Sequence, residues 1–133
     1  VLRIHRNREI EAAWDELYDL LGELEYLVDI VIVEGSRDVD ALRLLGYEGR
    51  IEVCSHQSTS YVDFCESLAK QINSVLILSD FDDEGLEINR LLTQYFEHRG
   101  VKVEGGLRRE FSRIMATIRV YVVEALDNAA QRL

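Results

Sequence analysis

The chain has 133 residues, 47% of them hydrophobic, and a formal net charge of −10. That length suits one domain spanning 1–133, large enough for a core without disulfide staples, and no apolar run approaches the ~20 residues that a membrane-spanning helix needs. The acidic balance argues against a free-standing, sequence-indifferent nucleic-acid binder, which would be basic.

Taken in order, residues 7–28 read as a helix. Asn7 can cap it, and Ile10, Trp14, Leu17, Leu21, Leu24 and Val28 alternate spacings of four and three, which makes one apolar stripe. The residues before it, Val1 to Arg6, lack the apolar core of a signal peptide. Asp29-Ile-Val-Ile-Val-Glu34-Gly35 is a continuous apolar run closed by an acid and a glycine, a strand buried on both faces with room for a tight turn. A helix over Ser36–Leu45 follows and closes near Gly46. Ile51-Glu-Val-Cys54 alternates apolar and polar as an edge strand does. Ser55–Ser60 is a polar loop, and Tyr61–Gln71 reads as a helix with Tyr61 in a core position.

Val75–Leu78 is the second continuous apolar strand, and it delivers Asp80, Asp82, Asp83 and Glu84 within five residues. Leu86–Arg99 is a helix that stops at Gly100, Val101-Lys-Val103 is the other edge strand, and Gly105-Gly106 is a turn. Residues 107–132 read as one long helix with Phe111, Ile114, Ile118, Tyr121 and Ala125 on a stripe, about 39 Å at 1.5 Å per residue. It could pack against the first helix or a second copy of the chain. Its Arg108, Arg109 and Arg113 are the best local basic group, which the solvated face of an amphipathic helix explains better than a binding patch. Cys54 and Cys65 form no CxxC or paired framework, so reduced thiols in a cytoplasmic protein are expected.

Alternating strands and helices imply a parallel sheet with right-handed crossovers. The continuous apolar strands belong in its centre and the alternating ones at its edges, which gives the order 2-1-3-4. Strands 1 and 3 then flank a topological switch point, where open α/β sheets bind ligands. Glu34 ends the first of these strands, and Asp80 and Asp82 follow the other.

Side chains at i and i+2 of an extended chain point the same way, so Asp80 and Asp82 can converge. Carboxylates that close repel unless a cation sits between them. Mg²⁺, which takes one or two carboxylates plus substrate phosphate, is the simplest answer. Asp83 and Glu84 are equally explained as acids favoured in the first turn of a helix. An EF-hand is rejected, because its terminal bidentate Glu would fall on Leu91 and a helix rather than a strand would precede the loop.

Two motifs at these positions resemble a Toprim domain, the module of topoisomerases, bacterial primases, recombination proteins and small ribosomal-RNA-maturing nucleases. One is Glu34-Gly35-x-x-Asp38 and the other is Asp80-x-Asp82-x-Glu84-Gly85, near the form seen in type IA topoisomerases. The likeness runs from about Ile30 to Gly105, so a Toprim core over 29–105 would sit between terminal helices at 7–28 and 107–132. The resemblance implies a Rossmann-like α/β Toprim fold. It assigns Mg²⁺, for which Mn²⁺ could substitute, to Asp80 and Asp82. Glu34 becomes general acid or base or a further ligand, and Glu84 an additional ligand. Two features depart from the family's pattern, the first of them from that of the RNA-maturing members. Ser36 stands where they carry Lys, leaving Arg37 as the nearest basic residue, and the loop after strand 2 is Cys54-Ser-His-Gln-Ser-Thr-Ser60.

The expected activity is Mg²⁺-dependent phosphodiester chemistry on RNA or DNA, of nuclease or nucleotidyl-transfer type. Arg37 and His56 would contact substrate, and a protein partner or homodimer could form through the terminal helices, with no membrane involved. The alternative is a non-catalytic module that binds nucleic acid or a nucleotide through Mg²⁺. His56 is equally an ordinary loop histidine, and Cys54-x-His56 is too sparse for zinc. Strand passage is not expected, since it needs a Tyr nucleophile on a separate domain. A receiver-like signalling domain would want a fifth strand.

Overall fold

The computed structural model describes residues 2–55 and 59–132, with side chains from residue 7 onward. Four strands, β1 (Ile30–Val33), β2 (Ile51–Val53), β3 (Ser74–Ile77) and β4 (Lys102–Val103), form a parallel sheet in the order β2-β1-β3-β4. This is the topology expected from the strand patterns. Every residue of β1 is buried, and so are Val75, Leu76 and Ile77 of β3. The physical reason is visible in the two cores. Val31, Val33, Leu76 and Leu78 face one layer, while Ile30, Ile32, Val75 and Ile77 face the other, so neither side of the central strands meets water.

One layer is built from α3 (Tyr61–Ala69) and α4 (Asp83–His98), whose Phe64, Cys65, Leu68, Ile88, Leu92 and Phe96 fill it. The other combines α1 (Leu2–Leu27), α2 (Ser36–Leu44) and α5 (Gly105–Thr117). Asn7 lies inside α1, which starts before it, and so does not cap the helix. The predicted stripe of α1 is spent within the chain, with Trp14, Leu17, Leu21 and Leu24 in one core with Phe111, Ile114 and Met115 of α5. Gly46 and Gly100, at φ of 99° and 79°, follow the ends of α2 and α4 in the left-handed conformation that glycine adopts without strain. Among the described residues no helix is long and apolar enough to cross a membrane.

The C-terminal region departs from the single helix expected over 107–132. α5 ends at Thr117, Arg119 takes a φ of 59°, and an extended strap leads into a 3-10 turn at Val123–Ala125 and then α6 (Leu126–Gln131). Local sequence supplies one cause. Val120, Val122 and Val123 are β-branched and lose side-chain freedom in a helix. Tyr121, read as part of the apolar stripe, is 55% exposed. The other cause is tertiary, because the strap finds backbone partners in the acidic loop, described below.

The α1–α5 seam yields a test. Leu17 is fully buried, so Leu17→Ala is expected to cost about 2–5 kcal/mol in chemical denaturation. Glu16, one residue away, makes an exposed ion pair with Arg113, and Glu16→Ala should cost under about 1 kcal/mol. Equal losses would contradict this packing.

Candidate active site

The crossover between β1 and β3 brings the acids of two distant segments together. Glu34 leaves the end of β1, and its Oε2 accepts a 2.6 Å hydrogen bond from the Asp80 backbone N–H. The Glu34 and Asp80 side chains also lie within hydrogen-bonding range of one another. Burial is the main influence on the Glu34 carboxyl. The Asp80 N–H opposes it, but the Asp80 and Asp82 carboxylates add to it, and the pKa is raised to about 7. Glu34 can therefore hold or release a proton near neutral pH, as a general acid or base must.

Asp80 and Asp82 both act on Glu34, but from outside the strand. β3 stops at Ile77, and the acids lie in the loop beyond it. Asp82 caps α4, its Oδ1 accepting from Gly85 N–H at 2.8 Å, so part of its carboxylate is committed to the helix start. Gly85 is required there, since a Cβ would collide with the Asp80 carbonyl. The same residue's carbonyl accepts the Ser79 hydroxyl at 2.6 Å, closing the loop from beneath. Glu84 is exposed in the first turn of α4. Its charge reaches the Tyr61 phenol, as that of Glu34 does, and both reinforce a pKa raised first by burial and then by Cys54. Tyr61, read as a core residue, is half-buried and packs against the α3–α4 core.

Arg37 is exposed in the first turn of α2 and lines a hollow of about 260 Å³ with Asp40, Glu124, Asp127 and Asn128, in the company of acids. His56 lies outside the described residues. Gly35 is extended, at φ −144° and ψ 174°, and not in a turn reserved for glycine. Its N–H donates to Asp38 Oδ2 at 2.9 Å, which makes Asp38 the side chain that closes the start of α2. Asp38 is 4% exposed, and burial raises its pKa. Cys54 and Cys65 are free and buried, and burial pushes both thiols up to about 12, which makes them poor nucleophiles.

Arg108 was legible only as one member of a basic helix face. It is 8% exposed and reaches back to the sheet. β4 is only two residues long; its register sends the N–H of Lys102 to Asn73 and that of Glu104 to Val75. The next bond in the ladder would come from residue 106 to Ile77, but that residue already belongs to α5. The Arg108 guanidinium fills the place, donating to the carbonyls of Ile77 at 3.0 Å, Ser79 at 2.9 Å and Asp80 at 3.3 Å. It stacks over Phe81 with 4.4 Å between the guanidinium carbon and the ring centre. Burial lowers its pKa to about 10, against the pull of Glu34 and Asp80, and it still carries its charge at neutral pH. A cation is thus fixed behind the carboxylates. Beside the loop, between α4 and α5, runs a cleft of about 360 Å³ bordered by Phe81, Leu86, Asn89, Arg108 and Arg109.

Among the described residues no three His, Cys, Asp or Glu side chains are gathered into a preformed metal cage. Mg²⁺ does not require one, since it keeps several waters and takes one or two carboxylates together with substrate phosphate. Two neighbouring carboxyls with hard oxygen donors, one of them pushed towards protonation by burial and then by like charge, fit that ion.

Comparison with known proteins follows the same lines. A model described as Toprim domain matches residues 29–114. A UPF0292 protein of Methanosarcina barkeri is 36% identical over 132 residues, covering 99% of this chain and 89% of that one. One from Methanocaldococcus jannaschii is 32% identical over 99 residues, 73% and 77% of the respective chains. A solved structure from Aquifex aeolicus superposes with a TM-score of 0.61 at 20% identity, over 86% of this chain and 94% of that one, which bears on the fold alone.

Two measurements follow. Arg108→Ala would leave the Ile77, Ser79 and Asp80 carbonyls without their donor and is expected to cost about 3 kcal/mol, read by denaturant unfolding. The Glu34 pKa, raised from 4.5 to about 7, means that the folded state binds the proton more tightly than the unfolded chain. That stabilisation is complete below the unfolded pKa and fades as pH rises towards the folded one. In metal-free buffer Tm should therefore fall between about pH 4.5 and pH 7 for this group, and Glu34→Gln should flatten that part of the profile. An unchanged slope in the variant would contradict the assignment.

Proposed function

The chain belongs to the Toprim domain family, and we propose that it is a Mg²⁺-dependent enzyme acting on phosphodiester bonds of RNA or DNA. The observation that carries this reading is the contact between Glu34, from the end of β1, and Asp80, beyond β3, at the switch point of the sheet. Mg²⁺, held by Asp80 and Asp82 with Glu34 or Glu84 beside them, would neutralise charge on the transferring phosphoryl group. Glu34, with its pKa near neutrality, would pass a proton to the leaving oxygen or take one from the attacking group. Arg108 holds the loop and contributes fixed positive charge from behind it. The cleft between α4 and α5 gives a nucleotide next to the scissile bond a partly apolar surface. The net charge of −10 leaves electrostatic capture of nucleic acid to Mg²⁺ or to a basic partner, and Arg37 and His56 are proposed as local contacts.

A second reading, a non-catalytic module that binds nucleic acid or a nucleotide through Mg²⁺, is favoured by one observation. Asp82 already spends an oxygen on its helix cap, so fewer ligands are left for a metal pair.

Labelled single- and double-stranded RNA and DNA oligonucleotides incubated with Mg²⁺ separate the two. Cleavage that EDTA stops, and that falls at least about a hundredfold in a folded Asp80→Asn variant, is the expected result. Mg²⁺-dependent binding without product would favour the module, and neither binding nor cleavage would overturn both.

A further inference from the structure

The strap beyond α5 is tied to the acidic crevice by its backbone. Asp80 Oδ1 accepts the Val123 N–H at 2.8 Å. The next amide, that of Glu124, meets the Asp38 carboxylate. In the opposite sense, the Phe81 N–H donates to the Tyr121 carbonyl at 2.9 Å. The two acids that receive the strap come from the two motifs, Glu34-Gly35-x-x-Asp38 and the loop starting at Asp80. Val123 is 1% exposed and packs in the core with α1 and α5, so these amides are held in place from behind.

Asp80 is thereby fixed at three of its own atoms and at the residue that follows. Its N–H is taken by Glu34, its carbonyl by Arg108, and Oδ1 by Val123. A free Asp side chain in this place would rotate away from Glu34, because like charges at contact distance repel. An amide hydrogen on one oxygen removes that option and leaves Oδ2 as the atom available to a ligand.

We propose that the Tyr121–Glu124 strap is a positioning element of the metal site, whose Val123 N–H sets the orientation in which Asp80 takes up a divalent cation. The proposal rests on the Mg²⁺ reading above and adds to it a segment lying outside residues 29–114 matched by the family model. The strap touches neither substrate nor metal; it acts through Asp80.

The N–H can be removed with little else. Val123 opens the 3-10 turn, where a missing N–H breaks no bond of the turn, and Val122, at φ −120° and ψ 134°, already has the extended conformation that a residue before proline adopts. Val123→Pro deletes the donor and turns a ring carbon towards Oδ1 in place of the amide hydrogen, whereas Val123→Ala keeps the donor and removes packing. Mn²⁺ binding to the full chain, followed by electron paramagnetic resonance, should weaken at least about tenfold in Val123→Pro and stay within about twofold in Val123→Ala. Equal affinity of folded Val123→Pro and wild type overturns the proposal alone, as does an equal loss in both variants. A wild-type chain that binds no Mn²⁺ overturns the metal reading and this inference together. Should Val123→Pro not fold, hydrogen exchange of the wild-type chain decides. The Val123 amide is expected to stay protected in saturating Mg²⁺, and free exchange there overturns the proposal.

Discussion

Two carboxyl groups, Glu34 and Asp80, are held against each other where the winding of the sheet reverses, and the surrounding structure is arranged to keep them there. Left alone, such a pair separates or takes up a proton. The chain counters with fixed dipoles and one buried cation. The Asp80 N–H points at Glu34, the Val123 N–H at Asp80, and Arg108 sits behind both. Each of these groups is fixed by hydrogen bonds of the fold itself, and fixed dipoles of this kind stabilise charge without a reorganisation cost.

The short edge strand explains how Arg108 comes to be there. β4 covers only the first half of β3, so the carbonyls at the far end of β3 lack a strand partner. Buried carbonyls must find donors, and a side chain from the following helix supplies them. One residue therefore completes the sheet, orders the loop and places positive charge close to two acids. A strand in that position could have done only the first of these. The cleft beside it exists for the same reason, because a longer β4 would have filled it.

The strap has a similar logic. After Thr117 the chain leaves the helix and offers bare backbone to the acidic loop. The exchange of hydrogen bonds through Tyr121 and Val123 satisfies backbone that would otherwise need water or a further strand. Core packing of Val123 and Leu126 holds it in register. Both terminal regions thus serve the centre, α1 by burying α5 and the strap by reaching the acids.

The amino-acid sequence determined the number and order of the strands, because a strand buried on both faces must be apolar throughout and an edge strand need not be. Ile30–Val33 and Val75–Leu78 could only be central, and their ends put Glu34 and the aspartates at one switch point. What it left open were contacts without a period. The Arg108 and Val123 bonds to Asp80 span 28 and 43 residues and obey neither the repeat of a helix nor that of a strand. The stripe through Tyr121 and Ala125 even suggested an uninterrupted helix. Tertiary structure decided otherwise, because unpaired carbonyls at the end of β3 and two crowded carboxylates demanded donors that only a side chain from α5 and the backbone of a broken helix could bring.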